Sequence, residues 1–447
     1  MTYITPRALL SFPALLVAVA LFGCRPSSSV PPGTGGAPAV SRPRVAETSE
    51  QVPVAGRDYS VKAPDEDIKA VVDGNTAFAA DLYQRLAADP GNVFFAPHSV
   101  SIALAMTYAG ARGETEQEMA KVLHFTLPQD RLHPALGALD IAVQAPQIPS
   151  RASLPGIRID SANSIWVQTG YDLLPTFTDI IGRDYGGQAQ MIDFASNPDA
   201  AAREINQWVL DRTEKRIQDL IPPGALSRMT RLVLANAVYF LGKWDQKFKV
   251  ESTKPGPFTK LDGNKVEAQM MFQDGQFSYA SDDLCQIVSL PYTGYRASMV
   301  IVLPRAGAFA EVESGLTAER ISGLLSTAKG ADVKLTMPRF TFTVPYTLGD
   351  TLQAMGMKLA FGAADFSGMT GGPDLYISEV RHKAFVSVDE EGTEAAAATD
   401  VEMKAGSAYM PSEPMEFTAD RPFIFLIRDI QSGTILFMGR VVDPTVS

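Results

Sequence analysis

The stretch Asp389-Glu390-Glu391-Gly392-Thr393-Glu394-Ala395-Ala396-Ala397-Ala398-Thr399-Asp400 is where residue type and spacing are most informative. Read at period two, Thr393, Ala395, Ala397, Thr399, Val401 and Met403 share one face and are all uncharged, while Glu394, Ala396, Ala398, Asp400 and Glu402 share the other. This is the pattern of a half-buried strand whose inner side chains must be small. Alanine has low strand propensity, so the stretch need not be a strand at rest. A segment that is a loop in one state and a central strand in another meets the physical requirement of a loop-insertion switch. The same pattern, taken alone, also suits a solvated alanine-rich linker or a short helix.

The stretch opens a long gap. A strand signal ends near Val388 and another starts near Pro422, leaving residues 389–419 without a clear element of their own. Inside a compact domain, loops of about thirty residues are either functional or disordered.

Other chemistry is hard to find. There are only four histidines, and the chain contains no Gly-x-Ser-x-Gly elbow, phosphate loop or zinc-spaced motif, which argues against an enzyme and implies neither a metal nor a cofactor. The formal charge is -11 with no basic stripe, so nucleic acid is not an expected partner. Cys24 and Cys285 are the only cysteines and lie too far apart in sequence to form a metal spacing or a disulfide framework.

The elements that must position the long loop divide unevenly along the chain. Apolar Phe78, Leu82 and Leu86 recur at helical spacing until Asp89-Pro90-Gly91. Ser99 is placed to cap a helix through Ile102 and Met106, and Thr115 precedes a helix carrying Met119 and Val122. Asn197-Pro198-Asp199 opens another, with Ile205, Trp208 and Val209 on one face. Strand signals dominate from residue 230 onward: 231–240, 286–290, 297–303, 333–344, 375–388, 421–427 and 434–442, the last two forming a hairpin across Asp429 to Gly433. Helices early and strands late predict an α+β protein with helices packed on largely antiparallel sheets.

The N-terminus carries an address. Arg7 and the apolar run Ala8 to Phe22 predict a secretory signal peptide over residues 1–23. Leu21-Phe22-Gly23-Cys24 is similar to the lipobox of bacterial lipoproteins, which implies lipidation at Cys24 and a membrane anchor. An ordinary cleaved signal with an incidental cysteine is the alternative. Residues 24–60, rich in Pro, Ser and Gly, predict a flexible tether before a folded domain over 61–447. Arg25 in place of Asp, by similarity to Gram-negative lipoproteins, implies the outer membrane and an extracytoplasmic, periplasmic or cell-surface protein.

From about residue 65 to Pro444 the chain resembles the serpin family. The most specific stretch is Glu390 to Thr399, which matches the hinge of inhibitory serpins. Asn92 to Ser99, Gly110 to Thr115, Leu234 to Phe240 with Gly242 and Trp244, Asp365 to Met369, His382 to Phe385 and Arg421 to Phe425 agree in family order. The resemblance implies an exposed reactive-centre loop that a serine or cysteine protease cleaves, becoming trapped as the hinge inserts into the central sheet. It implies that Ser99, Asn236 and His382 form a hydrogen-bonded cluster beneath that sheet and that Trp244 sits where the loop enters; simple core packing is the alternative for His382 and Trp244. Ala96 stands where the family usually has serine. Counting from Gly392 places the cleaved bond at Gly406-Ser407, with Lys404-Ala405 and Tyr409-Met410 as alternatives. The chain is expected to act as a monomer, and the alternative within the family is a non-inhibitory serpin used for binding or as a chaperone.

Overall fold

The computed structural model describes residues 50–51, 56–144, 157–393 and 413–446. Cys24, the hinge residues Glu394, Ala395, Ala396, Ala397, Ala398 and Thr399, and every candidate for the cleaved bond lie outside them. Along the chain run β1 (Glu50–Gln51), α1 (Asp65–Leu86), β2 (Val93–Phe95), α2 (Pro97–Tyr108), α3 (Gly113–Val122) and α4 (Gln129–Gln144). Then come β3 (Ile157–Gln168), α5 (Pro175–Tyr185), β4 (Gln188–Ile192), α6 (Pro198–Arg212) and β5 (Leu232–Lys243). β6 (Lys254–Thr259), β7 (Lys265–Ser281), β8 (Cys285–Pro291), β9 (Ala297–Pro304), α7 (Phe309–Ser314) and α8 (Ala318–Thr327) follow. The chain ends with β10 (Lys329–Pro338), β11 (Phe340–Thr347), α9 (Gly349–Met355), α10 (Ser367–Thr370), β12 (Glu379–Val388), β13 (Gly392–Thr393), β14 (Met415–Thr418), β15 (Phe423–Asp429) and β16 (Ile435–Val441).

The strands form two mixed sheets. Sheet A has the order β1-β4-β3-β5-β13-β12-β11, and sheet B runs β14-β10-β7-β8-β9-β15-β16-β2 with β6 on β7. Alternation along β5 builds a core on each face of sheet A. Leu232, Leu234, Val238 and Phe240 join the main core, which also takes in Ile102, Leu104 and Met106 of α2. Val233, Ala235 and Ala237 point the other way, against Trp166, Ile205 and Val209 under α6. α2 is buried along its whole length, as an apolar helix enclosed between layers must be.

Several sequence expectations change. Ser99 is not a cap: Pro97, with its preset φ and no N–H to satisfy, starts α2 after Ala96, which leaves Ser99 in the first turn with its hydroxyl free for the site below. Thr115 likewise lies inside α3, where its hydroxyl accepts from the Asp365 N–H at 2.9 Å. Asn197 does cap α6, accepting from the Ala200 N–H at 3.0 Å. Strands are not confined to the second half, since β3 and β4 precede residue 200. The run 333–344 is two strands in different sheets, broken at Pro338-Arg339. Nor is the tether free to residue 60: Glu50–Gln51 pairs antiparallel with β4, and the Arg57 guanidinium meets buried Asp140 at 2.5 Å. The long gap at 389–419 holds β13 and β14 at its two ends.

Candidate functional site: the closed sheet and its hinge

Beneath the middle of sheet A lies a buried polar cluster. Asn236 on β5 donates to the Ser99 hydroxyl at 2.7 Å and to the Ser99 carbonyl at 3.1 Å, and its own carbonyl oxygen faces Nδ1 of His382 on β12. His382 Nε2 accepts from the Ala96 N–H at 3.1 Å. That acceptor role puts the ring proton on Nδ1, where it donates to Asn236. Burial pushes the His382 pKa down to about 3, so the ring is neutral.

Asn163 and Ser161 of β3 complete the cluster. The Ser99 hydroxyl donates to Asn163 Oδ1 at 3.2 Å, Asn236 also donates to that oxygen, and Asn163 donates to the Ser161 hydroxyl at 2.9 Å. Sequence reasoning missed both residues, although Ile157, Ile159, Ser161, Asn163, Ile165 and Val167 alternate on one face of β3. Ala96 supplies only its N–H, and beside it a cavity of about 20 Å³ also lined by Ser99 and Ser161 has room for one water molecule.

The top of the sheet holds the hinge. Trp244, just past β5, donates through its backbone N–H to the Glu391 carbonyl at 3.0 Å and through Nε1 to the Asp389 carbonyl at 2.9 Å. Its indole stacks on Tyr292 at 4.7 Å and 11°. Glu390 is buried, and Arg339 donates to its carboxylate at 2.7 Å while the Thr253 hydroxyl donates to the same oxygen. Burial alone would raise the Glu390 pKa, but the Arg339 and Thr253 hydrogen bonds outweigh it and hold the carboxyl below its usual range. Lys247 pairs with Glu391 at 3.0 Å. Thr393 is fully buried, its hydroxyl 2.8 Å from that of Tyr292.

These contacts place the start of the hinge, Gly392–Thr393, inside the sheet. β12 pairs directly and in parallel with β5 from Glu379 opposite Val233 to Phe385 opposite Tyr239. Above that zipped stretch, β13 is wedged between the same two strands and runs antiparallel to both: Gly392 faces Lys243, and Thr393 faces Gly242 and Val388. Parallel pairing is slightly the weaker kind. A strand continuing from β13 would replace one parallel ladder with two antiparallel ones. At the far end of the loop, β14 pairs in parallel with β10 and fixes the second root in sheet B.

A helix-clad mixed sheet zipped shut below a wedged hinge, joined by a long loop to a second sheet, defines the serpin class. The chain belongs to the serpin family: the model for "Serpin (serine protease inhibitor)" matches residues 73–444. An uncharacterized serpin-like protein of Thermococcus kodakarensis is 43% identical over 376 residues, covering 84% of this chain and 86% of the relative. The leukocyte elastase inhibitor of Xenopus tropicalis is 38% identical over 381 residues, covering 83% and 98%. Among solved structures, the thermophilic serpin tengpin in its native state superposes with a TM-score of 0.77 at 28% identity, covering 89% of this chain and 100% of that one. Human thyroxine-binding globulin superposes with a TM-score of 0.76, also at 28% identity, covering 85% and 100%.

Proposed function

We propose that this serpin is an irreversible inhibitor of serine proteases, and by the same acyl chemistry of cysteine proteases, that uses its loop as bait. The protease nucleophile attacks the carbonyl of the cleaved bond, the new amine departs with the C-terminal fragment, and the acyl-enzyme remains joined to the hinge. The hinge then runs down between β5 and β12 and drags the protease with it.

The observation that carries this reading is the register of β13. Continued from Thr393 opposite Gly242, it sets Thr399 opposite Asn236 and Met403 opposite Leu232, the end of β5. Directly opposed residues share a face. Thr393, Ala395, Ala397, Thr399, Val401 and Met403 therefore enter on the side of Phe240, Val238 and Asn236, and every charge from Glu394 to Glu402 faces away from that core. The strand fills at Met403, so Lys404-Ala405, Gly406-Ser407 and Tyr409-Met410 all lie beyond it. Gly406-Ser407 is the proposed bond, from the count, and its small glycine suits a protease with a shallow pocket.

Lipidation at Cys24 would hold the inhibitor at the outer membrane, acting as a monomer on extracytoplasmic proteases. Incubation with trypsin-, chymotrypsin-, elastase-, subtilisin- and papain-like enzymes tests the function. At least one should give a denaturant-resistant complex and release a fragment starting at Ser407. A start at Ala405 or Met410 would move the bond, and cleavage by all without complex or lost activity would point to a non-inhibitory binding protein.

A further inference from the structure

Tyr292 has no role in the reading above, yet it is built into the slot the hinge enters. It follows β8 and bridges to Trp244, its N–H donating to the Ala297 carbonyl at 2.9 Å. Its ring is held between the Trp244 stack and an edge contact with Phe240 at 5.1 Å and 65°. No part of the hinge is needed for that placement. The ring carries one polar atom, a hydroxyl in a fully buried position, and among the described residues its hydrogen bond goes to Thr393 Oγ1. Without Thr393 that hydroxyl would be left in an aromatic enclosure with no partner, a situation proteins avoid.

We infer that the Tyr292 hydroxyl is the register lock of the inserting strand: it engages Thr393 before cleavage and so fixes how deep, and in which phase, the hinge lies in sheet A. Phase is what makes the lock matter. A slip by one residue turns every side chain to the opposite face of a sheet. Either slip would bring Glu394 or Gly392 to the hydroxyl and turn Glu394, Asp400 and Glu402 toward the main core, the side of Val238 and Phe240. A rigid ring with one hydroxyl accepts threonine or serine at position 393, whereas a slip to Gly392 offers it no side-chain partner and a slip to Glu394 pairs it only by burying a carboxylate in an apolar enclosure. Tyr292 thus acts as a positioning residue for insertion, and in that role the inference rests on the proposed function.

The test begins on the full-length, uncleaved protein, so it stands whether or not a protease is trapped. Hydrogen exchange is followed in the peptide covering residues 389–393 for the wild type, Tyr292→Phe, Thr393→Val, Thr393→Ser and the Tyr292→Phe/Thr393→Val double variant. Tyr292→Phe keeps the stack and removes only the hydroxyl. Both it and Thr393→Val should speed exchange about two- to tenfold, the range a net hydrogen bond spans. The double variant should go no further than the faster single one, and Thr393→Ser should exchange like the wild type. Unchanged exchange in Tyr292→Phe, or fully additive effects, would overturn the lock. With a protease that the wild type traps, Tyr292→Phe should divert a larger share of inhibitor to simple cleavage; an unchanged share would limit the hydroxyl to the resting state and overturn its part in insertion. Failure of the wild type to trap any protease would sink the proposed function, and the exchange result would still decide the resting contact.

Discussion

Gly392 runs so close to β5 that a Cβ on it would lie 2.0 Å from the carbonyl oxygen of Gly242. Gly242 is crowded in turn, because a Cβ there would sit 2.7 Å from the Tyr292 ring. The wedge therefore depends on two closely approached glycines, and any side chain at 392 must push β13 out of the slot. Gly392→Ala should loosen the Glu391 carbonyl from the Trp244 N–H and alter the emission of Trp244. Fluorescence measured against the wild type checks this; an unchanged spectrum would mean that the slot has room to spare.

Charge on the core side of the inserting strand should convert inhibitor into substrate. Thr393 is fully buried, and a strand continued in the register of β13 would bring Ala397 to the same face opposite Val238. Thr393→Arg or Ala397→Glu would place an unpaired charge in an apolar enclosure, costing several kcal/mol. On a denaturing gel, the trapped complex should give way to cleaved chain by about tenfold or more. Equal complex yield would remove the alternating-face argument.

The alternating pattern of residues 393–403 is local and so can be read in the sequence, but taken alone it suits a linker as well as a strand, and the resemblance is needed to choose. Trp244 and the Ser99, Asn236 and His382 cluster were legible only through resemblance, since their partners lie far apart in the chain. What stayed hidden has physical causes. Ser161 and Asn163 interrupt the apolar face of β3 because they serve the cluster, so the strand does not read as one. Pro338 and Arg339 break a continuous strand signal into two sheets, and Arg339 finds Glu390 only after that break. Tyr292 sits in an ordinary Pro-Tyr-Thr-Gly turn, and its meaning comes from a hydroxyl 101 residues away. The pairing of Glu50–Gln51 with the edge of β4 and of Arg57 with Asp140 depends on distant partners, which composition does not reveal.

Acid should weaken the closed sheet through its histidine. His382 has a folded-state pKa of about 3 because it is buried neutral, against about 6.5 in the unfolded chain. Between these values the unfolded state binds the extra proton. Its contribution is therefore fully present above about pH 6.5 and is lost as pH falls toward 3, at up to about 1.4 kcal/mol per pH unit. His133, also depressed to about 3 by burial, adds a slope of the same sign. Urea unfolding of wild type and His382→Gln from pH 7 to 4 should show the shallower slope in the variant. Parallel slopes would mean that His382 does not govern the acid response.

Anchoring at Cys24 should be separable from inhibition. Labelled fatty acid should be incorporated into the wild type in a bacterial host, and Cys24→Ala should abolish the label and release the protein. Because Cys24 lies outside residues 73–444, which the serpin family model matches, the variant should trap protease as the wild type does. Wild-type protein released without lipid would contradict the anchor.

Insertion of the cleaved loop can be read directly from thermal unfolding before and after cleavage. In the uncleaved protein β5 and β12 are joined by a single parallel ladder below a two-residue wedge. Cleavage by a protease that the serpin does not trap should let residues 394–403 enter between them, adding two antiparallel ladders and burying Ala395, Ala397 and Thr399. The cleaved protein should unfold at a temperature well above that of the intact one. An unaltered or lower unfolding temperature after complete cleavage would contradict insertion.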